Sequence, residues 1–117
     1  MQTNFFSPQS EWLPPKNFPD LSDAKEIAFD LETKDPQLKT RGPGWMTNNG
    51  HIIGVAVAVD GWKGYYPIRH ENGFNFDPGR VLKWTAKILS TDAIKIAHNA
   101  VYDLGWLHAE GIKVNGP

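Results

Sequence analysis

The residues of this chain best suited to chemistry are two carboxylates set two positions apart on one short stretch. Residues 27–33 read Ile-Ala-Phe-Asp-Leu-Glu-Thr, with an apolar side chain at every second position as along a β-strand. Strand side chains repeat with period two, so Ile27, Phe29 and Leu31 share one face, while Asp30 and Glu32 project from the other above the small Ala28. Two carboxylates a few ångströms apart repel each other unless a proton or a cation stands between them, and hard oxygen donors of this kind suit Mg²⁺ or Mn²⁺. Taken alone, an acidic-x-acidic triplet in a chain with 13 Asp and Glu is more often a solvated strand end. A second group sharpens the reading: Asn99 and Asp103 are four apart in a helical stretch and so share one helix face.

These residues need a scaffold, and the rest of the chain supplies one. Residues 1–24 carry Pro8, Pro14, Pro15 and Pro19 without a usable period and read as an extended arm, with Trp12, Leu13 and Phe18 as its anchors. After the first strand, Lys34 to Gly50 is a polar loop containing Pro36, Gly42, Pro43 and Gly44, and long loops in compact domains are often functional. Ile52 to Val59 is apolar on both faces, as a strand covered from both sides would be. Asp60-Gly61 is a hairpin turn leading into a strand over Tyr65 to Ile68, so those two strands pair antiparallel. Asp77-Pro78 starts a helix whose stripe is Val81, Leu82, Thr85, Ile88 and Leu89. That helix leads to a short strand, Ala93 to Ala97, with Ile94 and Ile96 on one face, parallel to the first strand. Asn99 is positioned to cap a last helix through Val101, Leu104 and Leu107, with Gly111 beyond its end.

Composition narrows the function classes. The chain has 117 residues, a formal net charge of −1 and no cysteine, which bounds it to one domain and excludes disulfides and thiolate metal sites. A hydrophobic content of 40% with five Trp, six Phe and three Tyr is enough for a core. The longest apolar run, Ile52 to Val59, is too short to span a bilayer, and the N-terminus lacks the regions of a signal peptide, so the expectation is a cytosolic protein. His51, His70, His98 and His108 follow no zinc-ligand spacing. The near-neutral charge argues against autonomous nucleic-acid binding, which calls for a basic face, and fits a site where metal ions offset phosphate charge.

Asp30-Leu31-Glu32-Thr33 after an apolar strand, followed by His98-Asn99-Ala100-Val101-Tyr102-Asp103, resembles motifs I and II of the DEDD superfamily. From Lys25 to Gly116 the chain resembles the 3′-5′ proofreading exonuclease domain of family A DNA polymerases, with Gly54, Tyr66-Pro67, His70 and Leu107 to Val114 agreeing in order and distance. The resemblance implies an α/β fold of the ribonuclease H-like kind, in which an antiparallel hairpin region and a parallel strand form a mixed sheet with flanking helices. It makes residues 1–24 an arm and 25–117 a partial exonuclease domain. The family continues past the position of Pro117 with a fifth strand and a third motif, a Tyr or His three residues before a fourth catalytic Asp, so the expectation is the front part of such a domain.

The activity implied is hydrolysis of phosphodiesters at single-stranded DNA 3′ ends with two Mg²⁺ or Mn²⁺ ions. Asp30 and Glu32 would hold the ion that activates water, and Asp30 and Asp103 the ion that offsets charge on the leaving 3′-oxygen. Asn99 resembles the family residue near the terminal nucleotide, and Tyr102, Leu38 and Trp45 are further substrate-binding candidates. Pro36 stands where the family has a wedging leucine, leaving Leu38 as the nearest. Trp45 and Met46 could offer a stacking surface, although an aromatic there packs against the sheet at least as often. The implied partner besides DNA is a polymerase domain in the same or a neighbouring chain. Two other readings stay open: a non-catalytic exonuclease-like docking module, and an exoribonuclease of the ribonuclease D type.

Overall fold

The computed structural model describes residues 14–47 and 49–115, so Trp12 and Leu13 lie outside the described residues. Its centre is strand β1, Glu26–Lys34, which has neighbours on both sides. Strand β2, His51–Val59, pairs with it antiparallel, and β3, Trp62–Pro67, pairs antiparallel with β2 through the Asp60-Gly61 turn, where Gly61 has a φ of 84°. Strand β4, Ile94–Ala97, pairs parallel with the first half of β1. The sheet order is β3-β2-β1-β4, a mixed α/β arrangement with helices α3, Pro78–Leu89, and α4, Ala100–Ala109, beside it.

Period two decides which face is packed. Ile27, Phe29 and Leu31 are at most 7% exposed and meet Val55 and Val57 of β2 together with Val81, Ile88 and Leu89 of α3 and Trp106 and Leu107 of α4. Asp77 caps α3 as its position before Pro78 predicts, its side chain accepting from Arg80 N–H at 2.9 Å. Of the expected stripe on α3, Leu82 is only half-buried, and Trp84, which the stripe omitted, is buried in its stead. Trp84 belongs to an aromatic cluster with Phe18, Tyr66 and Phe76, whose ring centroids lie 4.9–5.9 Å apart. Buried Tyr and Trp need partners for their polar ends. Tyr66 Oη donates to Asn17 O at 2.7 Å and Trp84 Nε1 to Pro19 O at 2.9 Å, so the segment before β1 completes the core with its backbone and with Phe18.

Three local expectations are corrected, and the face shared by Ile94 and Ile96 is located. The stretch Lys34 to Gly50 is more than a loop: it holds two single-turn helices, α1, Leu38–Arg41, and α2, Gly44–Thr47. Asn99 stands at the N-cap of α4 but makes no side-chain cap; its carbonyl accepts from Asp103 N–H at 2.8 Å. Helix α4 buries Asp103, Trp106 and Leu107 and leaves Val101 77% exposed and Leu104 on the surface. Its large indole takes the core position, which rotates the helix so that Asp103, one turn earlier, faces inward. Ile94 and Ile96 are also exposed, because they pair with Glu26 and Ala28 and so lie on the acidic face of the sheet, beside an open trough over Ala28 and Ala58.

The segment between β1 and β2 is fastened to α4. Tyr102 Oη donates to Asp35 Oδ2 at 2.7 Å and lies 2.9 Å from Thr33 Oγ1, while Asp35 Oδ2 also accepts from Gly44 N–H at 3.1 Å. One turn along α4, Gly105 lets the Trp45 indole lie against the helix backbone; a Cβ there would sit inside the ring. Gly105→Ala should therefore lower stability by about 1–3 kcal/mol through overpacking, against a gain of roughly 1 kcal/mol in helix propensity. Urea unfolding followed by Trp fluorescence measures the balance, and a net stabilisation would mean that Trp45 is not seated there.

Candidate functional site

The acidic site sits where β4 stops. Strand β4 reaches only to Ala97, opposite Phe29, so from Asp30 onward β1 has no strand on that side among the described residues. Helix α4 approaches there: its Tyr102 bonds Thr33, and its Asp103 comes close enough to Asp30 for their charges to repel. Asp30 and Glu32 share the face predicted for them, in register with Ala56 and Gly54 of β2.

Asp103 carries the strain of this arrangement. It is 2% exposed, and its Oδ2 has no hydrogen-bond partner. Burial and then the Asp30 charge push its pKa up to about 6, against the opposing pull of the Asn99 backbone bond and of His98. The Asp30 carboxyl is also raised, first by burial and further by Glu32, with His98 and the Leu31 backbone acting the other way. Asp30 is thus the acid whose charge is felt by Asp103 and which itself feels Glu32. An oxygen-only donor set with a buried, unpartnered carboxylate oxygen fits a hard divalent cation. Among the described residues, however, no three His, Asp or Glu side chains stand together as a ready-made cage.

Glu32 has a different engagement from its two neighbours. Its Oε2 accepts from Tyr65 Oη at 3.1 Å, and its Oε1 lies 3.9 Å from His70 Nε2. Tyr65 Oη is itself 2.6 Å from His70 Nε2, the two rings edge to face. Burial, reinforced by Glu32 and Asp30, raises the Tyr65 pKa far above its ordinary value, so this hydroxyl stays protonated as a donor. The sequence reading missed the contact to Glu32, which crosses two strands; the signal available was Gly54, opposite Glu32, where a Cβ would collide with the Tyr65 hydroxyl. His98, assigned no role from spacing, is exposed beside both aspartates.

The substrate-binding candidates scatter more widely. Asn99 is exposed at the start of α4. Tyr102 spends its hydroxyl on Asp35 and Thr33. Trp45 is half-buried against Gly105 and the core, while Leu38 and the 68%-exposed Met46 are what this segment presents outward. Among the described residues no helix is long and apolar enough to cross a membrane.

No family model matches the chain. It is 38% identical over 116 residues to a DNA-directed DNA polymerase of Pseudomonas phage M6, a match that covers 93% of this chain and 17% of the polymerase. The chain therefore spans about a sixth of the length of that relative.

Burial of Asp103 has a sign that can be measured. Its folded pKa, about 6, lies above the ordinary 3.8. Its contribution to stability is therefore complete below about pH 4 and is lost as pH rises through 6. In the metal-free chain Asp103→Asn should stabilise by about 2–3 kcal/mol at pH 7 and by nearly nothing at pH 4. Urea unfolding at the two pH values tests this; an equal effect at both would place the carboxylate in a solvated setting.

Proposed function

We propose that this chain is the N-terminal portion of a metal-dependent 3′-5′ exonuclease domain of a DNA polymerase, hydrolysing phosphodiesters at single-stranded DNA 3′ ends as a proofreading activity. The observation that carries the reading is the buried Asp103 carboxylate, with its Oδ2 unpartnered, set against Asp30. Such a group is costly unless something positive or a proton joins it. The sheet order with one parallel pair is in keeping with a ribonuclease H-like fold, and the likeness to a phage DNA polymerase supports DNA and a polymerase domain as partners.

In this reading Asp30, Glu32 and Asp103 hold Mg²⁺ or Mn²⁺. Such ions lower the pKa of a bound water and offset charge on the phosphate and the leaving 3′-oxygen. The chain's own residues supply placement. Asp30, whose charge interacts with both Glu32 and Asp103, would be a ligand in common with each of them. Exposed Asn99 meets the terminal nucleotide, and Leu38 and Met46 offer apolar surface to an unpaired base. Trp45 contributes by holding the segment that carries them.

Mn²⁺ titration followed by water-proton relaxation tests the site. Asp30→Ala should abolish binding, and Asp103→Asn should weaken it at least tenfold, about 1.4 kcal/mol or more. Degradation of a single-stranded oligonucleotide labelled at its 3′ end should follow the same order. Absence of Mn²⁺ binding in a folded chain would favour the docking-module reading, and faster degradation of RNA than of DNA the exoribonuclease.

A further inference from the structure

Tyr65, His70 and Asn75 have no part in the chemistry described so far, yet they form a continuous hydrogen-bonded path that ends on Glu32. The path starts in the connection after β3. Asn75 clamps both backbone groups of His70, its Oδ1 accepting from His70 N–H at 2.9 Å and its Nδ2 donating to His70 O at 3.0 Å. His70 Nε2 meets Tyr65 Oη at 2.6 Å, and Tyr65 Oη meets Glu32 Oε2 at 3.1 Å.

Counting protons gives the path a direction. The tyrosine hydroxyl has one hydrogen and an ionised carboxylate has none, so the hydroxyl must donate to Glu32. The His70 nitrogen facing it must then carry its own hydrogen and donate to the tyrosine oxygen, which assigns the Nε2–H form of the ring. Glu32 has a flexible stem with an exposed carboxylate, and the Asp30 charge repels it. Left alone, it would swing toward solvent. Gly54, directly opposite Glu32 in β2, leaves the space in which the Tyr65 hydroxyl lies.

We infer that Tyr65 and His70 are positioning residues that hold the Glu32 carboxylate beside Asp30 by engaging its Oε2, with Asn75 fixing His70 and Gly54 providing the gap for the tyrosine. This rests on the reading of Asp30, Glu32 and Asp103 as cation ligands. Tyr65→Phe removes only the hydroxyl. Gly54→Ala displaces the same hydroxyl together with the Tyr65 ring carbons behind it, which a Cβ would also crowd.

The test is Mn²⁺ titration of the 117-residue chain by water-proton relaxation, with unfolding temperatures taken alongside. Tyr65→Phe should weaken Mn²⁺ three- to tenfold with little change in unfolding temperature, and Gly54→Ala should weaken it as much at a lowered unfolding temperature. Their double variant should be no weaker than the worse single one, because both act through one hydroxyl. His70→Gln, which keeps an N–H donor, should retain binding that His70→Ala loses. In the metal-free chain, ¹⁵N shifts of His70 should report the Nε2–H form, and Tyr65→Phe should redistribute it. If Asp30→Asn abolishes Mn²⁺ binding while Tyr65→Phe leaves it unchanged or tighter, the positioning role falls and the carboxylate site stands. If Asp30→Asn changes nothing, both fall.

Discussion

One strand has to satisfy two solvents at once. β1 lies between β2 and β4, and its period-two alternation sends Ile27, Phe29 and Leu31 into the core and Asp30 and Glu32 to the opposite side. A slip of one residue would exchange the two sets, burying carboxylates among leucines and valines. The core opposite the acids is therefore what fixes their direction. The aromatic cluster of Phe18, Tyr66, Phe76 and Trp84 and the helix α3 packed with it act on the acidic face without touching it.

The acidic face runs against ordinary packing preferences. Small side chains, Ala28, Ala56 and Ala58, surround Asp30 in place of large apolar ones, and Asp103 lies buried without a full set of partners. Mutually supportive contacts elsewhere make this tolerable, since the strain is confined to one end of the sheet and is opposed by a continuous core on the other face. β4 ends early enough for α4 to come alongside the second half of β1, and that geometry, more than any single residue, brings Asp103 to Asp30.

Much of this was legible in the residues. The alternation of β1, the Asp60-Gly61 turn, the Asp77-Pro78 helix start and the parallel return of β4 all follow from local patterns and appear in the structure. So does the shared face of Asp30 and Glu32. What local pattern could not supply is rotation and reach. The side of α4 that packs is set by Trp106 against the sheet, so Val101 and Leu104, apolar and suitably spaced, are on the surface. Ile94 and Ile96 alternate as a strand should, but the tertiary setting put their face outward. The Tyr65 to Glu32 contact spans residues 33 apart, and the fastening of Tyr102 to Asp35 spans 67. Neither has a sequence signature beyond the glycines that make room for such contacts.

The segment between β1 and β2 has the length and glycine content of a lid, but its attachments make it a wall. Asp35 is tied to Tyr102, Gly44 to Asp35, and Trp45 lies on Gly105, so Asp35 and α2 are moored to the helix that carries Asp103. A hinge needs a part free to swing, and here the swinging part and the frame are joined. Loosening of α4 would therefore release this segment as well, so the two should unfold together.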